Sequence, residues 1–162
     1  MNFIIALFFK NIISLDYWSA HDFDNCCFNR PFDDQTQIRI KLEAEAKLKI
    51  QEEVRSGKIQ LVWSYILDYE NNRNPFRERR EQIKGWKQYT LMDIQENPEI
   101  VAMAKLLNQK DFRKIDSLHI ACAIFIKCDY FLTTDDTILK KAGSVDQIQI
   151  GDPIGFIKEV LS

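Results

Sequence analysis

Among the 24 Asp and Glu residues of the chain, Asp24, Glu70, Asp116, Asp135 and Asp136 occupy the positions from which carboxylates could do chemistry. Asp24 follows the run Ala20 to Phe23 and Asp135 follows Tyr130 to Thr133, both of which read as strands. In open α/β sheets ligands bind outside the carboxyl ends of strands. Asp116 heads a helical pattern, and Glu70 lies in the helix after the second strand. Taken singly, each has an ordinary explanation: Asp116 as a cap or dipole partner, Asp135 and Asp136 as turn and cap residues, Glu70 as a solvated charge. Taken together they behave differently. Two carboxylates about 5 Å apart repel by roughly 3 kcal/mol at an effective dielectric near 20, so a converging group must take up protons or bind a counter-charge. A hard, oxygen-liganded Mg²⁺ or Mn²⁺ meets that need. Such an ion acidifies a bound water into a nucleophile and stabilises charge on a leaving oxygen, so no histidine base is required.

Other reactive residue types carry less. His119 lies one turn beyond Asp116 on a largely apolar helix, where a histidine is more often a satisfied core residue. Arg73, Arg77, Arg79, Arg80, Lys84 and Lys87, relieved by Glu78 and Glu81 and followed by Trp86 and Tyr89, form a local basic run. It reads either as a solvated helix face or as a grip for RNA phosphates with rings for base stacking. Cys26, Cys27, Cys122 and Cys128 lack the C-x-x-C spacing that wraps a tetrahedral metal, and read as small buried hydrophobes in a reducing compartment.

The elements that must position these residues follow from periodicity. Ile38, Leu42, Ala46, Ile50 and Val54 recur every four residues and predict a long helix ending at Ser56-Gly57. Ile59 to Trp63 reads as a strand, and Ser64 as the cap of a helix from Tyr65 to about Asn72, closed by Pro75. Arg77 to Tyr89 predicts another helix, and Asn97-Pro98 opens one that runs to about Asn108. After the polar loop Gln109 to Lys114, a helix is expected over Asp116 to Lys127, then a strand over Asp129 to Thr133 and a short helix to Ala142-Gly143. A last strand, Gln147 to Ile150, precedes a terminal helix begun by Pro153. Strands alternating with helices predict an α/β fold, a mainly parallel central sheet flanked by helices on both faces.

These motifs resemble the PIN-domain family, especially the VapC-type toxin ribonucleases of type II toxin–antitoxin pairs. Asp116-Ser-Leu-His-Ile-Ala-Cys-Ala, Asp129-Tyr-Phe-Leu-Thr-Thr-Asp-Asp and Ile138-Leu-Lys-Lys-Ala are similar to its carboxy-terminal half. Asp24-Asn-Cys-Cys-Phe-Asn-Arg-Pro-Phe-Asp-Asp and Leu67-Asp-Tyr-Glu-Asn-Asn-Arg-Asn-Pro are similar to the amino-terminal motifs of one subgroup. The resemblance covers about Asp22 to the end. It implies a catalytic cluster of Asp24, Glu70, Asp116 and Asp135, with metal held by Asp24, Asp116, Asp135 and Asp136, the last also a substitute for Asp135. Asn25 and Thr133 fall where the family has polar residues supporting the site and substrate, and Arg73, Arg77, Arg80, Lys84 and Lys87 would contact RNA. The first strand is less apolar than the family's, and Asp22 would share the strand face of Asp24 and compete for its role. Gly151-Asp152 stands where an asparagine is more usual. The implied cofactor is Mg²⁺ or Mn²⁺; the implied partners are RNA and a cognate antitoxin protein, with room for a homodimer.

Composition sets the frame. At 162 residues, 46% hydrophobic and 28% charged, one soluble domain is expected, over residues 20–162. The net charge of -2 leaves nucleic-acid attraction to a local patch or a bound cation. Residues 1–19 read as an extension of uncertain structure: the apolar run Phe3 to Phe9 is too short for a bilayer that needs about 20 residues, and Met1-Asn2 with Trp18-Ser-Ala makes a poor secretory signal. A cytoplasmic protein without membrane contact is expected. Two other classes remain open: a nuclease cutting branched or flapped DNA, and a catalytically degraded scaffold binding RNA or a partner protein.

Overall fold

The computed structural model describes residues 36–160 together with the backbone of residues 21–23. Residues 1–19, expected as an extension, lie outside the described residues. Strand β1 (His21–Phe23) pairs in parallel with β4 (Tyr130–Leu132), which pairs in parallel with β5 (Gln149–Gly151). A second parallel ladder joins β2 (Leu61–Ser64) to β3 (Thr90–Ile94), with a register shift between Leu61 and Val62. β1 also runs close beside β2. The chain is therefore a mixed α/β protein with short parallel strand pairs, arranged as a three-stranded and a two-stranded ladder in place of the one central sheet expected.

Alternation along the strands explains how helices come to cover both faces. Val62 and Phe131 enter one apolar cluster with Ile100, Leu107, Ile120 and Ile138. Leu61, Trp63 and Leu132, one residue out of step, enter another with Ile50, Val54, Ile83 and Phe156. Successive strand side chains point to opposite faces, so the two cores sit on either side of the strands. Helices α4 (Pro98–Asn108) and α5 (Lys114–Phe125) supply the first core, and α1 (Ile38–Arg55), α3 (Arg77–Gly85) and α7 (Pro153–Val160) the second.

The local signals act as their chemistry predicts. Ser64 accepts a hydrogen bond from the Leu67 N–H at 3.3 Å and starts α2 (Tyr65–Asn72); Asn97 accepts from the Ile100 N–H at 3.0 Å and starts α4. Each satisfies a backbone donor that has no partner within the helix. Gly57, at φ 77°, takes the left-handed conformation that ends α1, its N–H returning to the Val54 carbonyl at 3.0 Å. Cys122 and Cys128 are buried, as expected of small apolar side chains; Cys26 and Cys27 lie outside the described residues. Among the described residues no helix is long and apolar enough to cross a membrane.

Three expectations are corrected. The stripe on α1 splits: Ala46, Ile50 and Val54 are buried, but Ile38 is 79% and Leu42 47% exposed, while Glu43 and Lys47 turn inward. A strict four-residue repeat drifts about 40° per step around a helix of 3.6 residues per turn, so its two ends cannot share one face. The helix expected through Tyr89 stops at Gly85, a poor helix former, and Trp86–Tyr89 forms a 3₁₀ turn. Beyond it Thr90–Ile94 is a strand, β3, where no element was expected.

Candidate functional site

The site lies beyond the carboxyl end of β4, where α5 and α2 meet the turn into α6 (Asp136–Leu139). The chain leaves β4 through Thr133, Thr134 and Asp135, all buried. The Thr133 hydroxyl accepts the Asp135 N–H at 3.0 Å. Asp135 caps α6: its Oδ1 accepts the Thr137 N–H at 2.7 Å and the Thr137 hydroxyl. Its Oδ2 faces the Arg113 guanidinium and accepts from Nη2.

Arg113 is the residue before α5, and its Nε donates to Asp116 Oδ2 at 2.9 Å. One guanidinium thus bridges two buried carboxylates from different elements. Asp116 Oδ1 is also buried but has no hydrogen-bond partner. An acceptor in that state carries a full desolvation penalty unless something binds it. Burial pushes the Asp116 carboxyl above the usual carboxylate range, outweighing Arg113, which acts the other way. Burial raises Asp135 as well, but the Thr137 hydroxyl and N–H together with Arg113 overcome it and hold this carboxyl below the usual range. Neighbouring carboxyls whose environments drive them in opposite directions are characteristic of sites rather than of surfaces.

One turn along α5, His119 is fully buried, and its Nε2 lies 3.0 Å from Glu70 Oε2 on α2. Glu70 is itself buried. This hydrogen bond ties α5 to α2. Glu70 is therefore a fixed internal partner of His119 and not a solvated charge.

The residues anticipated for the site are accordingly distributed. Asp116 and Asp135 come together through Arg113, and Thr133 supports the turn that aims Asp135. Glu70 turns to His119. Asp136 points outward, in a two-pronged pair with Arg39 at 2.9 and 2.5 Å. Asp24 and Asn25 lie outside the described residues, and of Asp22 the backbone alone is described, level with Phe131. Among the described residues no group of three or more His, Cys, Asp or Glu side chains is arranged to hold a metal ion. What the described part contributes is two carboxylates, one with an unpartnered oxygen, already gathered around a positive charge.

The basic run also separates. Lys87 is held between Asp68 and Asp93 at 2.7 Å each, away from the role expected of it. Arg80 donates to the Asn74 carbonyl at 2.6 Å. Arg77 and Lys84 are exposed. Arg73 lies over the ring of Tyr69 and Arg79 over that of Phe76, rings that are 46% and 56% exposed. Trp86, one of the two rings anticipated for stacking, is buried beneath Arg55, whereas Tyr89 is exposed.

Arg113 was absent from the anticipated set. Its sequence signal is the Arg-x-x-Asp spacing at a helix start, which puts the two side chains within reach. Its bond to Asp135 spans 22 residues and has no local signature. Compared with known proteins, the chain matches no family model, no curated protein and no solved structure.

Proposed function

We propose that this chain is a Mg²⁺- or Mn²⁺-dependent endoribonuclease of the PIN kind, acting as the toxin of a toxin–antitoxin pair. The observation that carries the reading is the convergence of Asp116 and Asp135 on one cation beyond the end of a parallel strand, with a buried oxygen of Asp116 left unpartnered. On this reading the two ladders are halves of one mainly parallel sheet, since β1 lies beside both β2 and β4. Asp24, following β1, would supply the carboxylate that completes the ligand set. A divalent ion bound there supplies an acidified water and neutralises charge on the phosphodiester. The protein's own part is to hold Asp135 ionised through Thr137 and to keep Asp116 buried, where its attraction for a cation is weakly screened. Arg73, Arg77 and Lys84, with the rings of Tyr69, Phe76 and Tyr89, offer charge and stacking surface to a single strand. An antitoxin would act by covering the acidic pair.

A second reading, a scaffold that binds RNA or a partner without cutting, is favoured by the pairing of Glu70 with His119. A cleavage assay separates the two. The nuclease reading expects single-stranded RNA, but not flapped DNA, to be cut with Mg²⁺ or Mn²⁺, and Asp135→Asn to abolish cleavage while RNA affinity stays equal or rises, because a negative charge has gone. Normal cleavage by Asp135→Asn would overturn the assignment of the site, and RNA binding without cleavage would favour the scaffold.

A further inference from the structure

The Arg113 guanidinium sits where a counter-charge to Asp116 and Asp135 is needed, yet it answers that need incompletely. It carries one positive charge against two carboxylates, and its fork engages the Oδ2 atom of each, leaving Asp116 Oδ1 buried and unpartnered. A divalent ion would balance both charges and could also take the orphaned oxygen into its ligand shell. The arginine is built to leave. Its side chain is 51% exposed, so the guanidinium can swing into water. Its backbone carbonyl meanwhile accepts the Ser117 N–H at 2.8 Å, anchoring the start of α5. Displacement therefore requires side-chain rotation and no change in the helix.

We propose that Arg113 is a built-in counter-cation that holds the Asp116–Asp135 pair until a divalent ion displaces it. Arginine and metal then compete for one pair of carboxylates, and Arg113 sets the concentration at which the site fills. The proposal rests on the reading of this pair as a metal site, and the two can fail separately.

The test is calorimetric titration of the full chain with MnCl₂, comparing the wild type with Arg113→Gln and Arg113→Lys. A half-exposed ion pair is modest in strength, so removing the competitor should tighten Mn²⁺ binding about two- to fivefold in Arg113→Gln. Arg113→Lys should fall between, because an ammonium cannot span both carboxylates with a planar fork. Equal affinities would overturn the competition while leaving the metal site standing. Weaker binding in Arg113→Gln would make the arginine part of the site's scaffold and also overturn the proposal. No binding by any form would remove the metal site and the proposal with it. A measurement on the wild type covers the case in which the variants do not fold: the Arg113 Nε–H, bonded to Asp116 Oδ2, is expected to exchange slowly in the metal-free protein and to exchange faster on addition of Mg²⁺. Persistence of the slow exchange at saturating Mg²⁺ would contradict displacement.

Discussion

Two charged regions of this molecule look alike in the sequence and differ in kind once folded. Around Asp116, Asp135, Glu70 and His119 the ionisable side chains are buried, and Asp135, Glu70 and His119 each meet a partner from another element. On α2, α3 and the following turn the cations are mostly at the surface, paired with nearby carbonyls, rings and aspartates. The lesson is that burial decides what a charge does. A buried charge is costly unless answered, so its partners are fixed and its proton affinity moves. An exposed one is screened, and it costs little to rearrange when a ligand arrives.

The largest effect should come from breaking the Glu70–His119 pair. His119→Ala removes the ring hydrogen-bonded to the buried Glu70 carboxylate and leaves a cavity beside it, and is expected to cost about 3–5 kcal/mol, read from the urea midpoint. Glu70→Gln, which retains a hydrogen-bonding group beside Nε2, should cost clearly less. A loss below about 1 kcal/mol for His119→Ala would place the pair with the surface charges and erase the contrast.

Next comes Asp135, whose Oδ1 caps α6. Asp135→Ala should lose about 1–2 kcal/mol, the worth of a strong cap, whereas Asp135→Asn, an equivalent cap, should lose much less. Equal losses would show that the charge toward Arg113, and not the cap, is what stabilises the turn.

The pH dependence sharpens the comparison within the pair. Asp116, raised by burial, binds its proton more tightly folded than unfolded, so stability falls as pH rises from the ordinary carboxylate value through its folded value. Asp135, lowered by Thr137 and Arg113, contributes stability that is present above the ordinary value and lost as pH falls through its folded value. Asp116→Asn should therefore be as stable as the wild type or more so at neutral pH without metal, and should remove the first dependence alone. Urea midpoints across the acidic range test this; a marked loss of stability in Asp116→Asn at neutral pH would mean that the ionised form is the favoured one in the fold.

The smallest effect on stability belongs to the exposed face. Reversing Arg73 and Arg77 to Glu should change stability by no more than about 0.5 kcal/mol per residue, yet it should weaken RNA binding for all sequences alike and flatten its salt dependence. An unchanged salt slope would reduce the face to a solvated surface.

What could be read in advance divides along the same line. The caps at Ser64 and Asn97 and the stop at Gly57 act within a few residues, and each was legible from its residue type. Strand β3 was not. Thr90, Met92 and Ile94 are half-buried while Leu91 is exposed, so the alternation is hidden by an apolar residue on the outward side. At the site, the strand-end position of Asp135 and the helix-start position of Asp116 were visible in the pattern. The partnerships that give them character were not: Glu70 and His119 are 49 residues apart and Arg113 and Asp135 are 22 apart, distances over which only the fold decides what meets.

If Asp116 and Asp135 belong to a divalent-cation site, as we propose, thermal melting in increasing Mg²⁺ or Mn²⁺ should separate the wild type from Asp116→Asn. A ligand that binds only the folded chain stabilises it by about 2.7 kcal/mol at a hundred times its dissociation constant. The melting temperature of the wild type should rise and that of Asp116→Asn little or not at all; a wild type indifferent to both ions, or a variant that gains as much, would show that this pair holds no such ion.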